Sequence, residues 1–318
     1  MKHSLAPLCV SLIVAAAAAQ DAHRVPTPTR TAAWDGRPAN YRVDSDLVLV
    51  NVTVTDARGR FFTGLAREDF QVLEEKTAQR LAYFSAEEAP VSVGLVLDFS
   101  GSMVSSFREL KGAVAEFLKS ANPADEFCLI EFRDRAELSL AFTSDPGEIQ
   151  TRVALTKPAG STALLDAVDL GLRQMKKARN ARRILLIVSD GGDNHSRFRA
   201  REVETLARES DVEIYVIDLP GQSSSQKQLE LLEGPALLTE LAEEAGGRSY
   251  QIGFDSELPA VAEKIGRELR HQYVLGYVPT NQNRDGRYRH IQVKVTRRPG
   301  QPRLSAYWRH GYYARAAY

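Results

Sequence analysis

The chain has 318 residues, 43% hydrophobic and 26% charged, with 41 Lys plus Arg balanced by 41 Asp plus Glu. The length predicts two folding units rather than one minimal domain. The charge balance leaves no global field that would favour nucleic acid or an acidic surface, so no nucleic-acid partner is expected.

Lys2 and His3 precede an apolar stretch, Leu5 to Ala19, that ends in Ala17-Ala18-Ala19. This pattern predicts a secretory signal peptide over residues 1–19, too short to span a bilayer comfortably, and hence a secreted or periplasmic protein with no transmembrane anchor after cleavage. Cys9 follows Leu8, where lipidation requires a small residue, so no lipid anchor is expected. The mature chain keeps Cys128 alone, and "FCLIEF" places that thiol in an apolar strand, as a buried inert group. Residues 20–44 are rich in Pro, Thr and Arg without periodicity and read as a flexible leader.

From Ser45, "SDLVLVNVTVTDARGR" alternates strictly and ends in turn residues, and "FQVLEE" and "RLAYFS" add two strands. These form an N-terminal β segment, residues 45–88. Over 89–269 the pattern changes to alternating strand and helix. "VSVGLVLD" and "RILLIVSD" are apolar runs of the kind buried on both faces of a parallel sheet. "EFCLIEF", "VEIYVID" and "RSYQI" are further strands, and "AELSLAF" is a possible antiparallel edge. Helical spacing covers Leu110–Leu118, Leu165–Met175, Val203–Ala207, Leu237–Ala245 and Leu258–Leu269.

After Arg270 the strand alternation returns in "QYVLGYVP", "YRHIQVKVTR", "RLSAYW" and "HGYYA", with Asn283-Arg284-Asp285-Gly286 read as a hairpin turn between the first two. Neither flank is thick enough to bury a core alone. The predicted fold is therefore α/β, a doubly wound, mostly parallel, Rossmann-like sheet. It is inserted between N- and C-terminal β segments (45–88 and 270–318) that pair into a small β-sandwich-like module.

Ligands of doubly wound sheets bind outside the carboxyl ends of the strands. Two strands end there in Asp98-Phe99-Ser100-Gly101-Ser102 and Ser189-Asp190-Gly191-Gly192-Asp193, and "PAGSTALLDA" presents Ser161 and Thr162 before a helix. Carboxylates and hydroxyls without sulfur or clustered imidazole suit a hard cation, Mg2+ or Mn2+. Asp-x-Ser-x-Ser aims alternate side chains to one side as the chain leaves a strand, and Gly101 lets the loop turn closely.

Asp98-x-Ser100-x-Ser102, Thr162 and the Ser189-Asp190-Gly191 strand end resemble the metal-ion-dependent adhesion site, or MIDAS, of von Willebrand factor type A domains. From about Ser45 onward the chain resembles the VWFA-related family of exported bacterial proteins, through "STALLDAV", "IVSDGGDN", "LAEEAGGRSY" and "DGRYRHIQVKV". The resemblance implies a metal site in which Ser100, Ser102 and Thr162 use hydroxyls while Asp98 and Asp190 act directly or through water. A mostly neutral shell leaves the ion charged enough to attract an Asp or Glu carboxylate from a protein partner. Gly101, Ser161 and Asp193 are candidates for supporting the ligands.

The bland reading of "DFSGSM" is a helix-capping loop, and that of Asp193 a turn-stabilising acid. His195 reads as a solvent-exposed loop histidine, His271, His290 and His310 lack zinc-like spacing, and the late tyrosines read as sandwich packing. No G-x-S-x-G or glycine-rich phosphate loop is present, and Ser100 stands where a phosphatase-like Asp-x-Asp pattern needs its second acid. No catalytic residue is assigned and no enzyme activity is expected. The alternatives are a structural component whose metal only rigidifies loops, and a phosphoesterase with Asp98 as nucleophile.

Overall fold

The computed structural model describes residues 47–220, 230–298 and 300–316. The signal-peptide and leader readings lie outside these residues. In chain order the N-terminal flank contributes β1 (Val48–Asp56), β2 (Phe70–Glu74), β3 (Thr77–Gln79) and β4 (Leu81–Ser85). The middle of the chain contributes β5 (Val91–Asp98), α1 (Phe107–Leu118), β6 (Glu126–Phe132), β7 (Ala136–Thr143), α2 (Pro146–Leu155), α3 (Leu164–Met175) and β8 (Arg182–Ser189). It continues with α4 (Ala200–Glu209), β9 (Glu213–Asp218), α5 (Glu230–Glu244), β10 (Arg248–Gln251) and α6 (Leu258–Arg270). The C-terminal flank adds β11 (Tyr273–Tyr277), β12 (Tyr288–Val295), β13 (Leu304–Tyr307) and β14 (Gly311–Tyr313).

The middle forms a six-stranded sheet in the order β10-β9-β8-β5-β6-β7. All neighbours run parallel except β7, which pairs antiparallel with β6 at the edge. Every residue of β5 and β6 is buried, because helices cover both faces. One face packs Val93, Leu95 and Leu97 against Leu110 and Val114 of α1 and Leu258 and Ile265 of α6. The other packs Val96, Ile187 and Val216 against Leu164, Val168 and Leu172 of α3 and Leu238 and Leu241 of α5. Successive strands are laid down on opposite sides of β5, so the order reverses between β5 and β8. A crevice at the carboxyl ends follows from that reversal.

The two flanks interleave. One sheet runs β13-β1-β11-β4 and the other β14-β12-β2-β3, so each holds strands from both ends of the chain. Their inner faces share one core of Val50, Val52, Val72, Leu275, Ile291 and Val293. Of the late tyrosines, Tyr273 and Tyr277 lie in that core and Tyr312 packs against it, whereas Tyr288, Tyr307 and Tyr313 lie outside it and Tyr313 is exposed. Tyr277 and Tyr312 each donate to Glu74 at 2.8 Å, and Tyr273 donates to the Phe62 carbonyl at 2.9 Å. The α/β region is thus inserted in a β-sandwich-like module, as the alternation of patterns implied.

Two local readings change. Asn283–Gly286 does not close a hairpin, because β11 pairs with β1 and β4 while β12 pairs with β2 and β14. The turn residues are real, but the chain between those strands crosses from one sheet to the other. In addition, α2 had no place in the sequence reading. Asp145 caps it through the Gly147 amide at 2.8 Å and Pro146 opens it, but it buries only Ile149 and Val153, too few for a clear stripe.

Polar side chains join the module to the α/β region. Gln272, just beyond α6, donates to Glu213 at 2.7 Å and to Tyr215 at 3.1 Å, and accepts from Arg182. Its amide also reaches Thr53 of β1 at 3.3 Å. Arg270 pairs with the buried Asp125 at 2.7 Å, and Asp125 also holds the Val91 amide at the start of β5. Among the described residues no helix is long and apolar enough to cross a membrane.

Candidate metal centre

Asp98 is the last residue of β5 and is fully buried. Its carboxylate accepts from the Ser100 amide at 2.8 Å and from the Ser189 hydroxyl at 2.7 Å. Ser100 and Ser102 bring their Oγ atoms within 2.9 Å of each other, so the alternation in Asp-x-Ser-x-Ser does aim these hydroxyls to one side. Beyond them the chain enters a 3₁₀ turn, Gly101–Val104.

Backbone hydrogen bonds gather the three segments that the sequence placed apart. The Gly101 amide donates to the Gly160 carbonyl at 3.0 Å, and the Ala159 amide to the Phe99 carbonyl at 2.8 Å. These two bonds hold the 159–162 segment against the Asp98 loop. Thr162 in turn donates its amide to the Asn194 side chain at 3.0 Å, and its carbonyl accepts from the Asn194 and His195 amides. The loop that follows Asp190 is thereby fixed beside Thr162. Asp98, Ser100, Thr162 and Asp190 are all buried, and Ser102 is half-buried at the opening.

The supporting candidates separate. A Cβ on Gly101 would stand 3.3 Å from the Gly160 carbonyl, so its role is close approach of two backbones. Ser161 turns away, donating its amide to Asp134 at 2.7 Å. Asp193 accepts from the Ser196 amide at 3.3 Å and has the Leu164 amide at the start of α3 as a further backbone donor, which is the turn-stabilising use. His195, His271, His290 and His310 are exposed.

Sequence reasoning missed Asn194, Asp134 and the side-chain role of Ser189. Each acts through a backbone amide or another side chain, with no spacing of its own to betray it. Gly160, at φ +85°, is a further case: a Cβ there would lie 2.6 Å from the Asp134 carboxylate.

The electrostatics ask for a cation. Burial, and then the charge of Asp190, raise the Asp98 carboxyl to about 6, against hydrogen bonds from Ser100 and Ser189 that favour its ionised form. Asp218, at the end of β9, is raised to about 6 by the same two causes. Among the described residues no Lys, Arg or His forms an ion pair with Asp98, Asp190 or Asp218. Nor do three or more His, Cys, Asp or Glu side chains gather as a ligand group there. The donor set is therefore two carboxylates with hydroxyls, all oxygen, which fits a hard divalent ion.

A cleft of about 240 Å³ opens beside this set, lined by Ser102, Met103, Asp190, Phe254 and Asp255 among others. Phe254, in its lining, is 72% exposed. Ser106 donates to Asp255 at 2.6 Å, tying the chain after the 3₁₀ turn to the segment that leads into α6.

Residues 93–192 match the family model of the von Willebrand factor type A domain. Among solved structures, a von Willebrand factor type A protein from Catenulispora acidiphila is similar at 13% identity and a TM-score of 0.50, over 87% of this chain and 75% of that one. An aerotolerance-related membrane protein from Bacteroides fragilis NCTC 9343 is similar at 19% identity and a TM-score of 0.46, over 56% of this chain and 98% of that one. No curated protein matches. At such identities the likeness of structures speaks for the fold alone. The family model itself places a von Willebrand factor type A domain over residues 93–192, within the α/β region.

Proposed function

We propose that the chain is an exported, metal-dependent protein-interaction module. Ser100, Ser102 and Thr162 hold a Mg2+ or Mn2+ ion through hydroxyls, with Asp98 and Asp190 acting directly or through water. The ion supplies a positive charge only partly neutralised by its shell, which attracts an Asp or Glu carboxylate from a partner protein. Ser102 and Asp190 line both the ligand set and the open cleft, so a carboxylate entering there has access to the ion. No bond is made or broken, and Ser100 in place of a second nucleophile-flanking acid argues against phosphoryl transfer. Export to the periplasm or the medium is inferred from the Lys2–Ala19 pattern.

The observation that carries this reading is the buried Asp98 carboxylate, beside a second acid and three hydroxyl-bearing segments, with no basic side chain paired to it. Calorimetric titration of chelator-stripped protein with Mg2+ and Mn2+ tests the metal, and no uptake by the wild type would end the proposal. Partner capture from an extracellular extract, with and without EDTA and with Asp98→Ala, tests the interaction. Identical captured proteins in all three cases would favour a purely structural metal.

A further inference from the structure

Three strands end in one row. β5 and β8 run in parallel register with Leu97 opposite Val188, which makes Asp98 and Ser189 the next opposed pair. Ser189 in turn stands opposite Asp218 on β9. Each of the three follows by two residues a core residue of the face that α3 covers, namely Val96, Ile187 and Val216. With a side-chain period of two, Asp98, Ser189 and Asp218 all project from that face at the same edge of the sheet.

The hydroxyl in the middle of the row is fully used. Ser189 donates to Asp98 at 2.7 Å and accepts from the Gly191 amide at 3.1 Å. Among the described residues Asp218 receives nothing comparable, and its Oδ1 is buried without a hydrogen-bond partner. A buried carboxylate oxygen with no donor is costly, and a neutral residue would close the strand at lower cost. The rest of β9 is mostly buried strand, "EIYVID", and β-propensity gives no reason for an acid at its end. The Asp190 carboxylate, one residue beyond Ser189, is close enough to act electrostatically on both Asp98 and Asp218.

We propose that Asp218 is a third acid of the metal centre, placed behind Ser189 and Asp190, whose charge tightens divalent-cation binding from outside the hydroxyl-rich ligand set. This inference rests on the metal reading above. Hydroxyl ligands leave an ion reactive toward an incoming carboxylate but weakly held, and a carboxylate one strand further away restores affinity without occupying a coordination position. Asp218 is on this account a positioning and charge-supplying residue, with no need to touch the ion.

The test compares full-length wild type, Asp218→Asn and Asp98→Ala, stripped with chelator, by calorimetric titration with Mg2+ and Mn2+ and by thermal unfolding in EDTA. Asp218→Asn is expected to weaken metal affinity about tenfold while raising the unfolding temperature of the metal-free protein, since it removes the charge of a half-buried carboxylate with one unpartnered oxygen. Opposite signs are the signature, because a merely structural role would lower stability and leave affinity alone. Asp218→Ser, neutral and smaller, should shift affinity in the same direction and guards against a misfolded first variant. Wild-type affinity in Asp218→Asn, with binding abolished in Asp98→Ala, overturns the role of Asp218 and leaves the metal reading standing. A lowered unfolding temperature of Asp218→Asn in EDTA also overturns it, and absence of metal uptake by the wild type removes both.

Discussion

Ser189 Oγ donates to Asp98 Oδ2 at 2.7 Å, so the hydroxyl that closes β8 fixes the orientation of the carboxylate that closes β5. Both residues are fully buried, and the bond joins the two strands between which the sheet order reverses. Ser189→Ala removes a hydrogen bond to a charged acceptor, which costs about 1.5–3 kcal/mol. It also frees the Asp98 carboxylate to rotate. Calorimetry should show weaker Mg2+ binding by Ser189→Ala although no proposed ligand has changed. Unaltered affinity would show that Asp98 is held by the Ser100 amide alone.

Gly160 carries the second prediction. Its φ is +85°, and an added Cβ would meet the Asp134 carboxylate at 2.6 Å. Asp134 holds the Ser161 amide at 2.7 Å, directly before Thr162. Gly160→Ala should therefore cost roughly 1–3 kcal/mol of stability and weaken metal binding by displacing Thr162. Gly59→Ala is the control, since φ there is +72° with nothing within 4 Å of the added atom. It should lose stability in thermal unfolding while its metal affinity matches wild type. Equal affinities for the two variants would detach Thr162 from the site.

The fold was legible wherever the apolar pattern is strong, whether continuous or alternating. The runs "VSVGLVLD" and "RILLIVSD" are covered on both faces, and the alternate valines of β1, Val48, Val50, Val52 and Val54, all enter the sandwich core, although the second half of the strand is buried on its other face too. Even the pairing of distant flanks could be inferred, because no thin β segment can close a core of its own. What escaped was set by partners remote in sequence. The Asn283–Gly286 turn has hairpin chemistry, yet its strands find β1 and β2, more than two hundred residues earlier. At the candidate metal centre, Asp98, Ser100 and Ser102 announce themselves by alternation. Asn194 and Asp134 do not, since a side chain that accepts from one backbone amide needs no particular neighbours.

Cys128 supplies a prediction independent of metal. It is fully buried in β6, and burial, followed by the nearby Glu126 carboxylate, pushes its thiol up to about 12. At pH 8 the thiolate is therefore scarce and shielded from reagents. A disulfide-exchange reagent should leave Cys128 of the native protein unmodified at that pH and titrate it promptly in concentrated urea. Rapid reaction of native protein would mean that the β5–β6 region opens far more readily than its packing implies.

Asp69 ties the two flanks together and gives a pH dependence of definite sign. The Ala66 amide first, and then the Arg298 guanidinium, hold its carboxyl below the usual aspartate range. Arg298 pairs with both carboxylate oxygens, at 2.8 and 2.6 Å, from the segment beyond β12, while Asp69 immediately precedes β2. A carboxyl lowered in the folded state binds fewer protons there than in the unfolded chain. Its contribution to stability is present at pH values above the unfolded pKa of about 3.9 and is lost as pH falls through the lower folded value. Asp69→Asn should accordingly be less stable than wild type at pH 7, with the two unfolding curves converging as pH is lowered through 4 toward 2. Chemical denaturation at a series of pH values measures the gap. A deficit that stayed constant down to the lowest pH would assign the loss to the amide hydrogen bond geometry and not to the charge that links the flanks.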